Sequence, residues 1–144
     1  MIGRTMSKVH GFAGLRLAYV LAQAPFVKEL EKYRTWEFSM NAPSMHAAIK
    51  TIDDEAFKQS CIKKNNEARE MTVSVLQQMG YTPLPSYTNF IIFQIKKEGG
   101  AFVQTMQERG IGLRSWAFNE MQWCRVSIGT MDDMKMFLGA MKEV

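Results

Sequence analysis

The hydrophobic pattern changes period along this chain, and the longest helical stretch lies near its middle. From Asp53 to Met79, Phe57, Cys61, Ala68, Met71, Val75 and Met79 fall near one face of a 3.6-residue repeat, which predicts one long helix. Asp53 or Asp54 is placed to cap it and Gly80 to stop it. At 1.5 Å per residue such a helix runs about 40 Å, enough to bridge two domains.

Shorter signals flank it. Leu15 to Leu21 reads as a buried strand that Pro25 prevents from continuing, Val27 to Arg34 as a short helix, and Asn41-Ala42-Pro43-Ser44 as the start of another. Beyond Gly80, Phe90 to Ile95 is an unbroken apolar run ending at Lys96-Lys97-Glu98-Gly99-Gly100, the mark of a buried strand and a turn. Ala101 to Glu108 follows as a helix closed by Gly110, then Ile111 to Arg114 and Trp123 to Ile128 as strands. Thr130 caps a last helix whose Met134, Phe137, Leu138 and Met141 face inward. Strand alternation puts Cys124, Val126 and Ile128 on one face and Arg125 and Ser127 on the other.

Composition narrows the function classes. A chain of 144 residues with 47% hydrophobic content can build one core. The net charge of +4 is spread along the chain with no basic run dense enough to follow a nucleic-acid backbone, so no nucleic-acid partner is expected. Cys61 and Cys124 stand far apart and in no Cys/His ligand spacing, which points to neither a disulfide framework nor a metal site and favours a reducing, cytoplasmic setting. The twelve methionines fall mostly at core positions, where flexible gap-filling accounts for them. Arg4, Lys8 and the Phe12–Leu21 stretch imitate a secretory leader, but Arg16 interrupts the apolar run, and with Gln23 and Pro25 it argues against a membrane span.

The candidate chemistry lies in Thr5-Met6-Ser7-Lys8-Val9-His10-Gly11-Phe12-Ala13-Gly14-Leu15-Arg16. A lysine amine that condenses with an aldehyde cofactor needs oxygen and guanidinium donors nearby to hold that cofactor's phosphate, and this segment carries both. It resembles the active-site lysine segment of fold-type I pyridoxal-phosphate aminotransferases, and among them the histidinol-phosphate aminotransferase group of class I/II. Tyr87-Thr88-Asn89-Phe90-Ile91-Ile92-Phe93, Gly110-Ile111-Gly112-Leu113-Arg114 and Trp123-Cys124-Arg125-Val126-Ser127-Ile128-Gly129-Thr130 resemble three further family segments in the same order. The likeness covers nearly the whole chain.

The resemblance implies an α/β fold, the C-terminal part of a fold-type I transferase. Residues 1–40 would be a remnant of the large cofactor-binding domain, 41–80 connecting helices, and 81–144 a small α+β domain. It implies pyridoxal 5'-phosphate as cofactor, Lys8 as the catalytic amine, and Thr5, Ser7 and Arg16 as phosphate ligands. Arg125 would clamp the substrate carboxylate, with Arg114 and Asn89 also at the substrate. Each has a plainer alternative: a solvated lysine at Lys8, loop capping by Thr5 and Ser7, an edge-strand charge at Arg125, a surface ion pair at Arg114 and turn capping at Asn89. His10 reads as structural. Ser115-Trp116-Ala117-Phe118 reads as an aromatic loop unlike the family pattern, which leaves the substrate open.

Amino-group exchange between an amino acid and a 2-oxo acid or phosphorylated ketone is the leading expectation, in a homodimeric enzyme. The groups that in this family contact the cofactor ring lie before the lysine segment, so this chain alone is expected to bind cofactor weakly and to be inactive. Decarboxylation of an amino-acid phosphate is the runner-up, and a non-catalytic dimerisation or binding module is the alternative of another class.

Overall fold

The computed structural model describes residues 1–33 and 40–144 and divides them into two compact units, Met1–Ile62 and Lys63–Val144. In the first unit, β1 (Ile2–Thr5) pairs antiparallel with β2 (Ala18–Leu21), from Ile2 opposite Leu21 to Thr5 opposite Ala18. The segment 15–21 was expected to be a buried strand and is not. Only Ala18–Leu21 is extended, its four residues are exposed, and the buried residue is Leu17 just before it. Among the described residues this two-stranded ribbon has one partner per strand and no layer over its faces, so apolar composition alone does not bury it.

Two helices follow. α1 (Ala24–Glu31) begins earlier than expected because Pro25 sits in its first turn, where its lack of an N–H costs nothing. The expected end of this helix at Arg34 lies outside the described residues. α2 (Ala42–Ile52) starts where Asn41-Ala42-Pro43 places it, with the Asn41 side chain accepting from Ser44 N at 2.8 Å.

The long helix forms as α3 (Glu55–Gln78). Asp54 caps it by accepting from Phe57 N at 2.9 Å. At the other end Gly80 takes φ +84° and Tyr81 N donates to Leu76 O at 3.0 Å, a left-handed stop suited to glycine. Its inward face is the expected one only in part: Met71, Val75 and Met79 pack, partly buried, against the core as expected. Ala68, Arg69, Thr72 and Leu76 are buried, whereas Phe57 is exposed, because this face is set by what packs on the helix's second half.

In the second unit a three-stranded antiparallel sheet has the order β3 (Phe90–Ile95), β5 (Met121–Ser127), β4 (Arg114–Phe118). β4 begins where the expected strand 111–114 was to end, and the supposed aromatic loop 115–118 is strand. The physical cause is the hairpin: Asn119 (φ +48°) and Glu120 (φ +62°) form a two-residue turn that pairs Phe118 with Met121, carrying the ladder through the aromatic residues.

One sheet face meets helices. Ile91, Phe93, Ile95, Cys124 and Val126 are buried with Phe102 and Met106 of α4 (Gly99–Glu108), and with Met134, Phe137, Leu138 and Met141 of α5 (Met131–Met141). Ala68 and Leu76 of α3 belong to the same core. Glu98 caps α4 by accepting from Gly100 N and Ala101 N, both at 2.8 Å. A Cβ on Gly99 would come within 2.9 Å of Ser115 Oγ and Gln122 Oε1, so only glycine lets α4 start this close to the sheet. Thr130 and Asp133 form a reciprocal capping box on α5.

Candidate active site

Thr5 and Ala18 close the base of a loop that holds Ser7, Lys8 and Arg16. Met6 N donates to Leu17 O at 3.1 Å, and Met6 and Leu17 are both buried, so the loop's two ends are fastened side by side. Within it Phe12 N donates to Met6 O at 3.0 Å, Gly11 N to Lys8 O at 2.9 Å and Leu15 N to Phe12 O at 3.1 Å. The chain doubles back, and the lysine and the arginine eight residues on stay in one tied loop.

Its donors are already organised. Ser7 N donates to Thr5 Oγ1 at 3.1 Å, and the Thr5 and Ser7 hydroxyls lie 2.8 Å apart. Arg16 takes φ +55°, a left-handed conformation that costs a non-glycine residue about 1–2 kcal/mol, and its Nη1 donates to Ala13 O at 2.8 Å. The side chains of Lys8 and Arg16 are exposed. Two adjacent hydroxyls and a guanidinium, with no carboxylate hydrogen-bonded to any of them among the described residues, suit a phosphate dianion.

The second cluster lies on the sheet face away from the core. Arg114 of β4 stands directly opposite Arg125 of β5, and Ile92 of β3 flanks Arg125 on its other side. Like charges in a directly opposed pair destabilise a sheet, by roughly 0.2–1 kcal/mol. Neither arginine has an ion-pair partner among the described residues, and Arg125 Nε is buried without a hydrogen bond. The Arg125 guanidinium carbon sits 5.4 Å from the centroid of the Phe90 ring, a cation–π contact that offsets part of the desolvation but leaves its hydrogen-bond donors unused. An anion between the two guanidinium groups would turn this repulsion into attraction.

Two rungs further along, Trp116 stands opposite Trp123 and lines the same face. On the core face next to Arg125, burial pushes the Cys124 thiol up to about 12 and, more than the neighbouring Cys124 charge, raises the Tyr81 hydroxyl. Both groups are therefore neutral near neutral pH and take no part in acid–base chemistry there.

Asn89 sits in the loop before β3, half-buried, and its carbonyl accepts from Ile128 N at 2.8 Å just past β5. The preceding carbonyl, Thr88 O, accepts from Arg69 Nη1 at 3.1 Å and Asn65 Nδ2 at 3.3 Å, both from α3. Ser86 Oγ and Thr88 Oγ1 donate to Phe90 O at 2.6 and 3.1 Å. Thr5, Ser7, Lys8 and Arg16 thus share one loop of the first unit, while Arg114, Arg125 and Asn89 gather at one end of the sheet in the second. Phe90, Arg69 and Asn65 join the second group without having been expected there. Their one signal in the sequence is a pair of polar residues four apart, Asn65 and Arg69, on the side of the helix that carries the buried Thr72 and Leu76.

No described helix is long and apolar enough to cross a membrane. The family model for aminotransferase class I and II matches residues 1–141. Among curated proteins, the histidinol-phosphate aminotransferase of Halalkalibacterium halodurans is 33% identical over 142 residues, 98% of this chain and 38% of that protein. Histidinol-phosphate aminotransferase 2 of Legionella pneumophila is likewise 33% identical, over 99% of this chain and 38% of its own length. The crystal structure of histidinol-phosphate aminotransferase from Sinorhizobium meliloti in complex with pyridoxal-5'-phosphate superposes with a TM-score of 0.85 at 27% identity, covering 98% of this chain and 40% of that one. The chain therefore spans about two-fifths of the length of these relatives. With the match running nearly end to end on this side, the chain belongs to the class I and II aminotransferases.

Proposed function

We propose that this chain forms the lysine-bearing and carboxylate-binding part of a pyridoxal-phosphate-dependent aminotransferase of the histidinol-phosphate type. The observation that carries the reading is the tied loop, which holds Thr5, Ser7, Lys8 and Arg16 together and sets the Thr5 and Ser7 hydroxyls 2.8 Å apart. When bound, pyridoxal phosphate supplies an electron sink for the charge that develops at the substrate Cα. Lys8 Nζ would hold the cofactor at its aldehyde carbon and, once freed by the substrate amine, would serve as the base that takes the proton from the substrate Cα. The Thr5 and Ser7 hydroxyls and the Arg16 guanidinium would hold its phosphate in the loop that carries Lys8.

Arg125 holds the substrate carboxylate, its planar fork matching the two oxygens, and Arg114 opposite it takes a second anionic group of the substrate. Asn89 lies beside them at the edge of the substrate. An amino acid or amino-alcohol phosphate as donor and a 2-oxo acid as acceptor satisfy this cationic pair. The same reading carries a cytoplasmic homodimer and the division into residues 1–40 of the large domain, 41–80 of the connecting helices and 81–144 of the small domain.

The test is covalent mapping on the protein that carries this chain. After incubation with pyridoxal phosphate and borohydride reduction, digestion and mass spectrometry should place the added mass on Lys8, and Lys8→Ala should remove both it and the visible absorption of the lysine-bound cofactor. Label on another lysine, or an absorption band that survives Lys8→Ala, would refute the assignment.

A further inference from the structure

Arg69 is the one arginine in the buried class among the described residues, and its charge has no carboxylate partner. Burying an unpaired guanidinium in a helix face is costly, and an aliphatic residue of similar volume would fill the space at less cost. Its hydrogen bond goes to a neutral acceptor, the carbonyl of Thr88, which also takes Asn65 Nδ2 from one helical turn earlier. That carbonyl has two lone pairs and both are used. The next carbonyl, Asn89 O, is held from the opposite side by Ile128 N. Two successive peptide groups are thus fixed, and with them the direction in which Phe90 leaves the loop. Phe90 is the residue whose ring lies against the Arg125 guanidinium.

From this chain of contacts we infer that Arg69, assisted by Asn65, is a positioning residue for the Arg125 clamp: it holds the Thr88–Phe90 turn so that the Phe90 ring sets the plane of the guanidinium for carboxylate capture. The inference rests on Arg125 binding a carboxylate, as proposed above. Arg69 touches no ligand itself. It acts by keeping the supporting layer of the site rigid, where small displacements weaken a bidentate contact.

The experiment measures binding of glutarate, a dicarboxylate without an amino group, by calorimetry on the cofactor-loaded protein, with melting temperature recorded for each variant. Arg125→Met should weaken glutarate about 100-fold and Arg69→Met about tenfold, while Arg69→Met added to Arg125→Met should change nothing further. Arg69→Lys keeps a donor for Thr88 O and should recover to within about threefold of the parent. A residue that merely supports the fold would lower the melting temperature and weaken glutarate equally in both backgrounds, which would overturn the inference. So would glutarate affinity within about twofold of the parent in Arg69→Met. If Arg125→Met binds glutarate as the parent does, the clamp itself fails and this inference falls with it; an effect of Arg125→Met without one of Arg69→Met removes only the positioning role. Should Arg69→Met not fold, Asn65→Ala deletes the other bond to the same carbonyl and should cost about threefold, and no change there overturns the proposal.

Discussion

Residues of one chemical type behave differently here according to what surrounds them. Cys124 is fully buried and its thiol is pushed up to about 12, whereas Cys61 on α3 is half-buried. Because only the thiolate is nucleophilic, a maleimide at neutral pH should modify Cys61 in the native protein and reach Cys124 only after unfolding, which mass spectrometry of digested protein will resolve. The carboxylates at the two helix caps are the converse case. The hydroxyl and then the backbone N–H of Thr130 hold Asp133 below the usual carboxylate range, and the amides of Gly100 and Ala101 do the same for Glu98. A pKa lowered by folding contributes stability that is present above the unfolded value and is lost as pH falls through the folded one. The urea midpoint should therefore fall as pH drops through and below the usual carboxylate range, and Asp133→Asn, which does not titrate, should flatten that acid limb. An unchanged slope would show that these caps do not set it. Arg114 and Arg125 were identified one at a time, from motif and alternation. That they form a directly opposed pair depends on a register that neither segment contains by itself.

Among elements, agreement follows the strength of the local signal. β3 forms over the expected residues, because an apolar run between a turn and a charged cluster has one way to be buried. α5 does so as well, since Thr130 and Asp133 start it and its apolar stripe faces the core. The errors include β2 and β4. β2 is apolar in composition yet exposed, and β4 lies beyond its expected position because the Asn119–Glu120 turn has no glycine to announce it. That turn offers a direct test. Glu120 sits at φ +62°, so Glu120→Gly should relieve left-handed strain and stabilise the second unit by about 0.5–1 kcal/mol after the extra glycine entropy is deducted, read from the denaturant midpoint. Destabilisation would mean that the Glu120 side chain contributes more than its backbone costs.

At the scale of the whole molecule, burial is unequal. The core cluster lies entirely between Ala68 and Met141, while among the described residues of the first unit only Met6, Leu17 and Ser44 are buried. Hydrogen exchange should accordingly find its slowest amides at Phe93 and Cys124 and on α5, with β1 and β2 exchanging orders of magnitude faster; equal protection in both units would contradict this distribution. The sequence by itself determined the family, the order of elements in the second unit and the candidate Lys8, Arg16 and Arg125, because short-range periodicity, caps and motif spacing are properties of neighbours along the chain. Only the tertiary structure decided that Arg114 faces Arg125, that the 115–118 stretch is strand, and that Arg69 and Asn65 reach from α3 to the Thr88 carbonyl before β3. Those facts depend on strand register and on which helix face is covered, and both are settled by long-range packing that no local window carries.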